Sequence, residues 1–550
     1  MSLADFHYRD TTFGLPLEWG DVNFIHTTDT HGWLLGHQKF SEPEPNASGT
    51  LGDLYSFIHH MKELAATRGA DLLVVDSGDM HDGNGLSDGF PEGGVNGHET
   101  NKIFARMPYD ALAIGNHELY KYPITLDVYK NFAPKWKGRY LTSNVNITVV
   151  SPSGQVKNVP VGERYTKFTT SQGRKVTALG VLFKFANYAQ NTTVQEPELL
   201  VAEKWFQEVI EEEPDFFLLL GHMAVYEDNW PVVFAAIRQR HPNTPIFIFG
   251  GHTHIRDCVM LDDRSMALES GRYMETVGAT LPSKGKDMKF SRRYLDNNRV
   301  TYYHTNTTTV NFDTPEGAAI TRGLWDLAAK FRLGSTFGLV PKDYYLDRVP
   351  YPSEDSVVSL FIDKVLPIVL PASNPERAGV PSIILANAGS QRFDVFKGPF
   401  TRNDEFIVSP FKNSFQYLTL PYGIGKHLLR RLNEFGAYSQ AVTDDDAFVA
   451  SRYNAWRKKQ YESFSGSLVD ATGEPLTLGY VTTDQCPGGP GDDTPHRPIP
   501  VFDAPGYAGI QRSHGPVEAI PSEAIQMGVR SIYRRDEGRT CTTGIGSESQ

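Results

Sequence analysis

Five short apolar stretches in the first half of the chain each end at a turn that carries Asp, Asn or His. They are Asp21–His26, Asp71–Val75, Tyr109–Ile114, Phe216–Leu220 and Ile246–Phe249. Each stretch is rich in Val, Ile, Leu and Phe and is bounded by turn-forming residues, a pattern typical of buried strands. Strands of this kind constrain the first half of the chain to an α/β fold.

Helical patterns occupy the segments between these strands. Apolar residues recur at helical spacing in Leu51–Thr67, Pro197–Glu212 and Trp230–Gln239. Alternation of strands and helices implies a mostly parallel, layered sheet. In open α/β sheets the ligand lies outside the carboxyl ends of the strands. The polar residues after the five strands are therefore expected to meet at one edge.

The chain changes character after about residue 313. Thr314 is a natural N-cap, and Pro315 suits the first position of a helix that leads into a second segment rich in Pro and Gly. A chain of 550 residues is too long for one hydrophobic core. We predict a first domain over residues 1–313, a connector helix and linker over 314–344, and a second, α+β domain over 345–550.

Composition limits the functions and the cellular locations that are possible for this chain. The net charge of −12 argues against binding to nucleic acid or to an anionic membrane surface, and no stretch is long and apolar enough for a transmembrane span. Three cysteines leave at least one outside any intramolecular disulfide. Four glycosylation sequons, at Asn46, Asn146, Asn191 and Asn306, favour the secretory route (extracellular, cell-surface, periplasmic or vacuolar), and a cytoplasmic location stays open.

The residues that follow the strands form a set of metal ligands. Alone, an Asp-x-His or a Gly-Asp turn is usually an ordinary surface loop. The ordered set of such motifs, each after a strand, is what indicates a metal site. Carboxylate, amide and imidazole ligands together suit Zn²⁺, Mn²⁺, Co²⁺ or Fe²⁺ and are poor for Ca²⁺. Two such ions can clamp the attacking and leaving oxygens of a displacement at phosphorus. The candidate ligands are Asp29, His31, Asp79, Asn116, His222, His252 and His254.

The order of these motifs resembles that of calcineurin-like metallophosphoesterases. The second half narrows the resemblance to the 5′-nucleotidase family, which includes bacterial periplasmic UDP-sugar hydrolases and animal ecto-5′-nucleotidases. The motifs are Asp29-Thr-His31, Gly78-Asp79, Gly115-Asn116-His117-Glu118, Gly221-His222 and Gly251-His252-Thr253-His254. The resemblance implies a layered metallophosphoesterase sandwich that holds two divalent ions.

The resemblance also implies a role for each ligand. One ion would take Asp29, His31, Asp79 and His254, and the other would take Asp79, Asn116, His222 and His252. A water that bridges the ions would attack phosphorus. His117, next to the catalytic Asn116, would stabilise the transition state or protonate the leaving oxygen.

One position departs from the family pattern beside this histidine. The family usually pairs the histidine with an Asp three residues later, and here that position is Tyr120. The carboxylate that orients His117 is therefore either missing or supplied from elsewhere, which puts control of its tautomer in question.

The resemblance places the substrate-binding residues in the second half. Asn387 would meet a base edge, Arg392 a phosphate, Phe411 the face of a base, and Asp492 the ribose hydroxyls. Asn413, in the same short segment as Phe411, is a further candidate. Cys486 stands where the family has a second base-stacking Phe, and Tyr480 is the candidate to replace it.

The sequence therefore predicts a two-metal phosphoesterase of nucleoside 5′-monophosphates, with nucleotide sugars or diphosphates as further substrates. Its partner would be a small phosphate ester. Two alternatives stay open: a phosphodiesterase or broad phosphatase with a non-nucleotide substrate, and a catalytically weak nucleotide-binding surface protein. The absence of Arg from the segment 354–360, where family members often carry one, favours the first alternative.

Overall fold

Two six-stranded sheets form the frame of the first half of the chain. The computed structural model describes residues 17–226, 230–280, 288–305, 311–377, 379–386, 388–411, 415–432, 444–465, 468–484, 486 and 495–499. Its strands are β1 (Val22–Thr27), β2 (Asp71–Asp76), β3 (Ala111–Ala113), β4 (Tyr140–Leu141), β5 (Val145–Val150), β6 (Val156–Pro160), β7 (Tyr165–Thr169), β8 (Lys175–Leu182), β9 (Thr192–Val194), β10 (Phe216–His222), β11 (Ile246–Phe249), β12 (Arg256–Asp262), β13 (Ser265–Ser270), β14 (Thr276–Thr280), β15 (Arg292–Asp296), β16 (Thr336–Val340) and β17 (Gly398–Thr401).

The five predicted strands occupy the parallel centres of the two sheets. One sheet has the order β15-β14-β1-β2-β3-β4, and the other has the order β12-β13-β11-β10-β8-β7. The pairs β1/β2, β2/β3, β3/β4, β8/β10, β10/β11 and β11/β13 are parallel, while β7, β12, β14 and β15 run antiparallel to their neighbours. The prediction of a layered α/β sandwich is confirmed, with antiparallel strands added at the edges.

The sheets pack face to face through aromatic side chains. Phe24 of β1 lies 4.8 Å from Phe247 and 5.0 Å from Phe249 of β11, measured between ring centroids. Alternate residues point away from this layer: Ile25 packs into the helical layer beside β1, and Leu219 into the one beside β10. Because both faces of the central strands are covered, their sequences are almost continuously apolar.

The helices cover the outer faces of the sheets and supply most of the regular secondary structure that is described in the second half. The regular α-helices are Leu51–Arg68, Gly85–Asp88, His98–Phe104, Tyr122–Asp127, Pro197–Ala202, Lys204–Val209, Trp230–Arg240, Arg299–His304, Pro315–Lys330, Val357–Ser359, Leu366–Ser373, Arg402–Val408, Tyr422–Gly425 and Asp444–Ser465. The helix predicted over residues 197–212 is divided in two, because Glu203 adopts an extended ψ of 137°. This break lets Leu200 and Phe206 bury their side chains in the same apolar cluster.

The connector helix begins as predicted and crosses the first helix closely. The Thr314 hydroxyl accepts the N–H of Gly317, and the helix runs over Pro315–Lys330. A Cβ added to Gly52 of the first helix would lie 2.1 Å from the carbonyl oxygen of Gly317. Glycine at position 52 is therefore required by the close approach of the two backbones.

The second half is attached to the first by a disulfide and by ion pairs. Cys258 of β12 is bonded to Cys486, 228 residues away, while Cys541 lies outside the described residues. Lys39 pairs with Asp404 at 2.8 Å, and Arg292 pairs with Asp484 at 2.6 Å. Within the part of the chain that is described, no helix has the length and apolar character needed to cross a membrane.

Candidate metal centre

The predicted ligands converge at the carboxyl ends of the parallel strands. Asp29 and His31 follow β1, Asp79 follows β2, and Asn116 and His117 follow β3 in the first sheet. From the second sheet, His222 closes β10, and His252 and His254 follow β11. Because the sheets face each other, the two groups of side chains meet between them.

Asp29, His31 and His254 form one group, with ligand atoms within 4.8 Å of one another. Asp29 Oδ1 lies 3.1 Å from His254 Nε2 and 3.7 Å from His31 Nε2. The two imidazole nitrogens are 3.2 Å apart. One carboxylate oxygen and two imidazole nitrogens therefore face a single point.

Asp79, His222 and His252 form a second group within the same span. The backbone N–H of His117 donates to Asp79 Oδ1 at 2.9 Å, which leaves Asp79 Oδ2 to face the ligands. That oxygen lies 2.9 Å from His222 Nε2 and 3.8 Å from His31 Nε2. Asp79 thus reaches both groups through one oxygen.

Left-handed backbone conformations place several of these side chains. Asp29, His31, Asp79, His252 and His254 have φ values of 49°, 44°, 57°, 81° and 64°. Such a φ is uncommon for residues other than glycine and costs of order 1–3 kcal/mol each. Five such residues at one site indicate that the fold sacrifices local stability to bring the ligands together.

Unsatisfied buried atoms show that the cluster fits a metal. Asp29 Oδ1, Asn116 Oδ1 and His222 Nε2 are buried and have no hydrogen-bond partner. A buried polar atom without a partner is costly, and metal coordination would satisfy each of them. Oxygen and imidazole nitrogen are also the donor types expected for a first-row divalent ion.

Hydrogen bonds at the opposite ring nitrogens orient the histidines. His31 Nδ1 donates to the backbone carbonyl oxygens of His81 and Asp82 at 2.7 Å. His222 Nδ1 donates to the carbonyl oxygen of Ser77 at 3.0 Å. These bonds fix the tautomer and leave each Nε2 free to act as a ligand.

The carboxylates set the charge of the cluster. Burial opposes a positive charge on His222, but Asp79 and Asp29 raise its pKa to about 10. Burial lowers the pKa of His252 to about 4, with the charge of His222 adding to the effect. In the absence of a cation, the site therefore keeps a proton on His222.

Asp82 lies beside His117 in place of the missing family carboxylate. His117 Nδ1 is 3.1 Å from Asp82 Oδ2, and both residues are buried. Tyr120 instead accepts a hydrogen bond from Asn116 Nδ2 at 2.9 Å, which leaves Asn116 Oδ1 buried without a hydrogen-bond partner. Asp82 thus contacts His117, whereas Tyr120, three positions after the histidine, contacts Asn116.

Arg392 and Phe411 lie near the ligand cluster. Burial is the main cause that holds the pKa of His254 well below its usual value, and the charge of Arg392 adds to it. The Arg392 guanidinium lies over the Phe411 ring, and that ring centroid is 6.1 Å from the ring centroid of His117. Asn387, Asn413 and Asp492 lie outside the described residues.

A base clamp requires an exposed aromatic ring, whereas the ring of Tyr480 is buried. Its side chain is 8% exposed and packs against Trp456 and the guanidinium of Arg256. Its hydroxyl donates to the carbonyl oxygen of His254 at 2.6 Å. In this structure the ring belongs to a small apolar cluster with Ile255 and Val481.

Sequence reasoning missed two residues that shape the site and one disulfide beside it. Asp82 could have been suspected because it follows Asp79 by three positions in a loop between glycines. Glu118 accepts the backbone N–H groups of Asp79, Met80 and Gly115, and so holds the loops after β2 and β3 together. The Cys258–Cys486 bond left no signal, because its partners are 228 residues apart.

Comparison with known proteins places both halves of the chain. The calcineurin-like phosphoesterase model matches residues 22–256, and the model of the NAD nucleotidase C-terminal domain matches residues 343–526. A relative described as a secreted protein from Arthroderma benhamiae is 37% identical, over 89% of this chain and 81% of the relative.

Solved structures give a similar result. A crystal structure of 5′-nucleotidase from Candida albicans is 34% identical with a TM-score of 0.71, over 86% of this chain and 84% of that one. A 5′-nucleotidase precursor from Thermus thermophilus is 17% identical with a TM-score of 0.51, over 71% and 74% of the two chains. This second likeness concerns the fold alone.

Proposed function

The chain belongs to the 5′-nucleotidase family of calcineurin-like phosphoesterases and is a metal-dependent phosphoester hydrolase, and from this premise we propose that it hydrolyses nucleoside 5′-monophosphates. Nucleotide sugars and nucleoside diphosphates are proposed as further substrates. The observation that carries the proposal is the convergence of seven candidate ligands from five strand ends, three of which present buried, unsatisfied ligand atoms.

The proposed ligand sets follow the two groups. Asp29, His31 and His254 would hold one ion, and Asn116, His222 and His252 the other, with Asp79 shared. When bound, two divalent ions (zinc or manganese are the first candidates) lower the pKa of water and neutralise charge on a phosphate ester. The carboxamide of Asn116, hydrogen-bonded to Tyr120, fits this arrangement because Asn116 Oδ1 has no other partner.

Asp82 and His117 would then act on the leaving group. The Asp82 carboxylate accepts from His117 Nδ1, so that His117 Nε2 faces the cluster, where it lies 3.8 Å from Asp79 Oδ2. A histidine held in this way can donate a proton to the departing oxygen of the substrate or stabilise its charge. We propose Asp82 as the residue that orients His117.

Arg392 and Phe411 are proposed to bind the substrate. No carboxylate among the described residues forms an ion pair with Arg392, so its charge is available to a phosphate. Phe411 lies close to this charge and to His117, and its ring is proposed to contact the base of the substrate. Matches at residues 22–256 and 343–526, on either side of the connector helix, support the proposed domain division.

A substrate screen with metal-replete protein tests the proposal. The panel comprises AMP, ADP, UDP-glucose, NAD, p-nitrophenyl phosphate and bis-p-nitrophenyl phosphate, assayed by release of phosphate or nitrophenol. We expect the highest kcat/KM for AMP. Activity on the bis-ester alone would contradict the proposal, as would an inactive protein that binds no metal.

A broad phosphatase is the second candidate, and one observation favours it. Cys486, at the position of the family's second base-stacking ring, is fixed in a disulfide, and Tyr480 is buried. A base would then be held on one face only. Equal kcat/KM for AMP and ribose 5-phosphate would support this candidate over a nucleotide-specific enzyme.

We also propose that the protein follows the secretory route. A disulfide between distant parts of the chain suits an oxidising compartment. Asn191 is exposed and Asn146 half-exposed, whereas Asn46 is buried. The relative described as a secreted protein adds support. A mass decrease of the native protein after treatment with an endoglycosidase would test this, and an unchanged mass would count against glycosylation.

A further inference from the structure

A segment of the second half, residues 478–484 together with Cys486, lies against the loop that carries His252 and His254. It contains Tyr480, Asp484 and Cys486, each of which is bonded to the first half of the chain. We propose that this segment, called here the strap, positions a metal ligand through Tyr480. The inference rests on the proposed function, since it concerns how the proposed site holds its metal.

Tyr480 supports one of the two left-handed residues of the ligand loop. Its hydroxyl donates to the carbonyl oxygen of His254 at 2.6 Å, and His254 has a φ of 64°. A backbone in this region persists only where the surroundings hold it. The side chain of His254 in turn reaches Asp29 Oδ1 at 3.1 Å, so a shift of the loop would move a ligand.

Arg256, two residues after His254, forms a second contact between the ligand loop and the strap. Its side chain is fully buried, and its guanidinium donates to the carbonyl oxygen of Tyr480 at 2.8 Å and to Asp296 at 2.6 Å. The same guanidinium lies 4.9 Å from the centroid of the Tyr480 ring. Tyr480 is thus held from its backbone and from its ring, and its hydroxyl has little freedom to leave His254.

Three further bonds fix the end of the strap. Asp484 accepts from Arg292 at 2.6 Å and from the hydroxyl of Tyr294 at 2.8 Å. Two residues later, Cys486 is bonded to Cys258 of β12, the strand that directly follows the ligand loop. The disulfide therefore fastens the strap to the same strand that Arg256 begins.

Tyr480 is accordingly a positioning residue, which acts on the metal through His254 without touching it. Outer residues that orient metal ligands typically change metal affinity by about 10–100-fold when they are removed. Loss of the Tyr480 hydroxyl should weaken the ion held by Asp29, His31 and His254. The other ion takes His252 from this loop, and because Tyr480 is bonded to His254 and not to His252, that ion should be affected less.

The test compares Tyr480→Phe with Tyr453→Phe, which is the matched control. Tyr453 also belongs to the second half and packs against the same apolar cluster as Tyr480, but its hydroxyl donates to Asp347 at 3.0 Å and not to the ligand loop. Chelator-stripped protein is titrated calorimetrically with Zn²⁺ alone. We expect wild type and Tyr453→Phe to bind two ions alike, and Tyr480→Phe to bind one ion about 10-fold more weakly. Saturating Zn²⁺ should restore kcat in Tyr480→Phe.

The disulfide provides a second test. In a Cys258→Ala/Cys486→Ala variant, the strap loses its covalent anchor and keeps only its hydrogen bonds and ion pair, and adding Tyr480→Phe should change Zn²⁺ affinity less than it does in the wild type. Unchanged affinity in Tyr480→Phe, or an equal loss in Tyr453→Phe, would overturn the inference while leaving the proposed function intact. A wild-type protein that binds no Zn²⁺ would instead overturn the proposed function, and the inference with it.

Discussion

At the scale of single residues, the site combines backbone strain with electrostatic attraction. Asp79 has a left-handed φ of 57°, one oxygen held by a backbone N–H, and the other directed at the histidines. Asp29 repeats this arrangement on the other side, with a φ of 49°. Such residues stabilise the fold poorly, so their conformations are best explained by the ligand they would hold.

Replacing Asp79 by Asn should abolish turnover and loosen both ions, because the shared ligand loses its charge while keeping its size. Metal content measured by mass spectrometry should fall below one ion per chain, and kcat should fall below detection. A variant with near-normal activity would show that Asp79 is not shared between two ions.

Replacing Asp82 by Asn tests the orientation of His117. We expect kcat to fall about 100-fold with the metal content retained, because the imidazole loses the carboxylate that fixes its tautomer. In a His117→Ala background, where kcat is already roughly 10²–10⁴-fold lower, the same change should have little further effect. Equal losses in both backgrounds would mean that Asp82 acts on something other than His117.

Metal affinity should rise with pH. Asp79 and Asp29 hold the pKa of His222 at about 10 in the metal-free site, so near pH 7 a cation must displace a proton from this residue. His252, with a pKa of about 4, is already neutral there and adds no proton. Between pH 6 and pH 9, calorimetric titrations should show the association constant rising about 10-fold per unit. A constant affinity would contradict this picture.

At the scale of elements, the ligand-bearing strands are joined by helices that pack closely. The first helix and the connector helix approach so closely that position 52 tolerates no side chain. The hydroxyl of Thr50, the N-cap of the first helix, lies 2.8 Å from the hydroxyl of Thr321 in the connector helix. The connector is therefore packed into the first half of the chain along much of its length.

Gly52→Ala should lower the free energy of unfolding by about 1–3 kcal/mol, because its Cβ would overlap the carbonyl of Gly317. Gly323 of the connector is the matched control, since a Cβ there would make only an ordinary contact of 3.5 Å with Ile103. Gly323→Ala should raise the free energy of unfolding by about 0.5–1 kcal/mol. Urea denaturation measures both, and equal effects would refute the close crossing.

The sequence predicted the central elements well and their edges poorly. Continuous apolar runs identified β1, β2, β3, β10 and β11, since burial on both faces leaves a strong signal. The antiparallel strands β7, β12, β14 and β15 were not predicted, because a strand covered on one face or lying at an edge leaves a weaker apolar signal. Glu203 divides a predicted helix, and no residue there is a strong helix breaker.

The same contrast holds within the site. The convergence of the candidate ligands could be predicted because each follows a recognisable strand, and as an ordered set their types suit a metal; that they bind one stays a prediction. Asp82 was missed since its partner, His117, lies 35 positions further along the chain. Tyr480 was predicted to stack on a base, while the structure places its hydroxyl on His254, 226 residues away in the sequence.

At the scale of the whole molecule, the two halves are joined covalently and electrostatically. The disulfide closes a loop of 228 residues that includes the connector helix. Arg272 of the first half lies 3.3 Å from Asp347 of the second half and is buried. Large relative movement of the two halves would have to break such contacts. Otherwise residues 478–484 and Cys486 would have to stay with the first half and separate from the rest of the second.

Reduction of the disulfide should destabilise the protein as a whole. The chain-entropy model gives about 5 kcal/mol for a loop of this length, as an upper value. The melting temperature should therefore fall in the presence of a reductant that reaches the bond, as followed by circular dichroism. A Cys258→Ala/Cys486→Ala variant, insensitive to the reductant, is the control. An unchanged melting temperature after confirmed reduction would contradict the prediction.

The separation of the two cysteines along the sequence also matters during synthesis of the protein. Cys258 leaves the ribosome 228 residues ahead of Cys486, which at about 5–20 residues per second is a delay of about 10–45 s. Its strand can pair during this interval, and in the finished structure the residue is 5% exposed. Early folding of the first half would thus shield a nascent thiol from mispairing until its partner emerges.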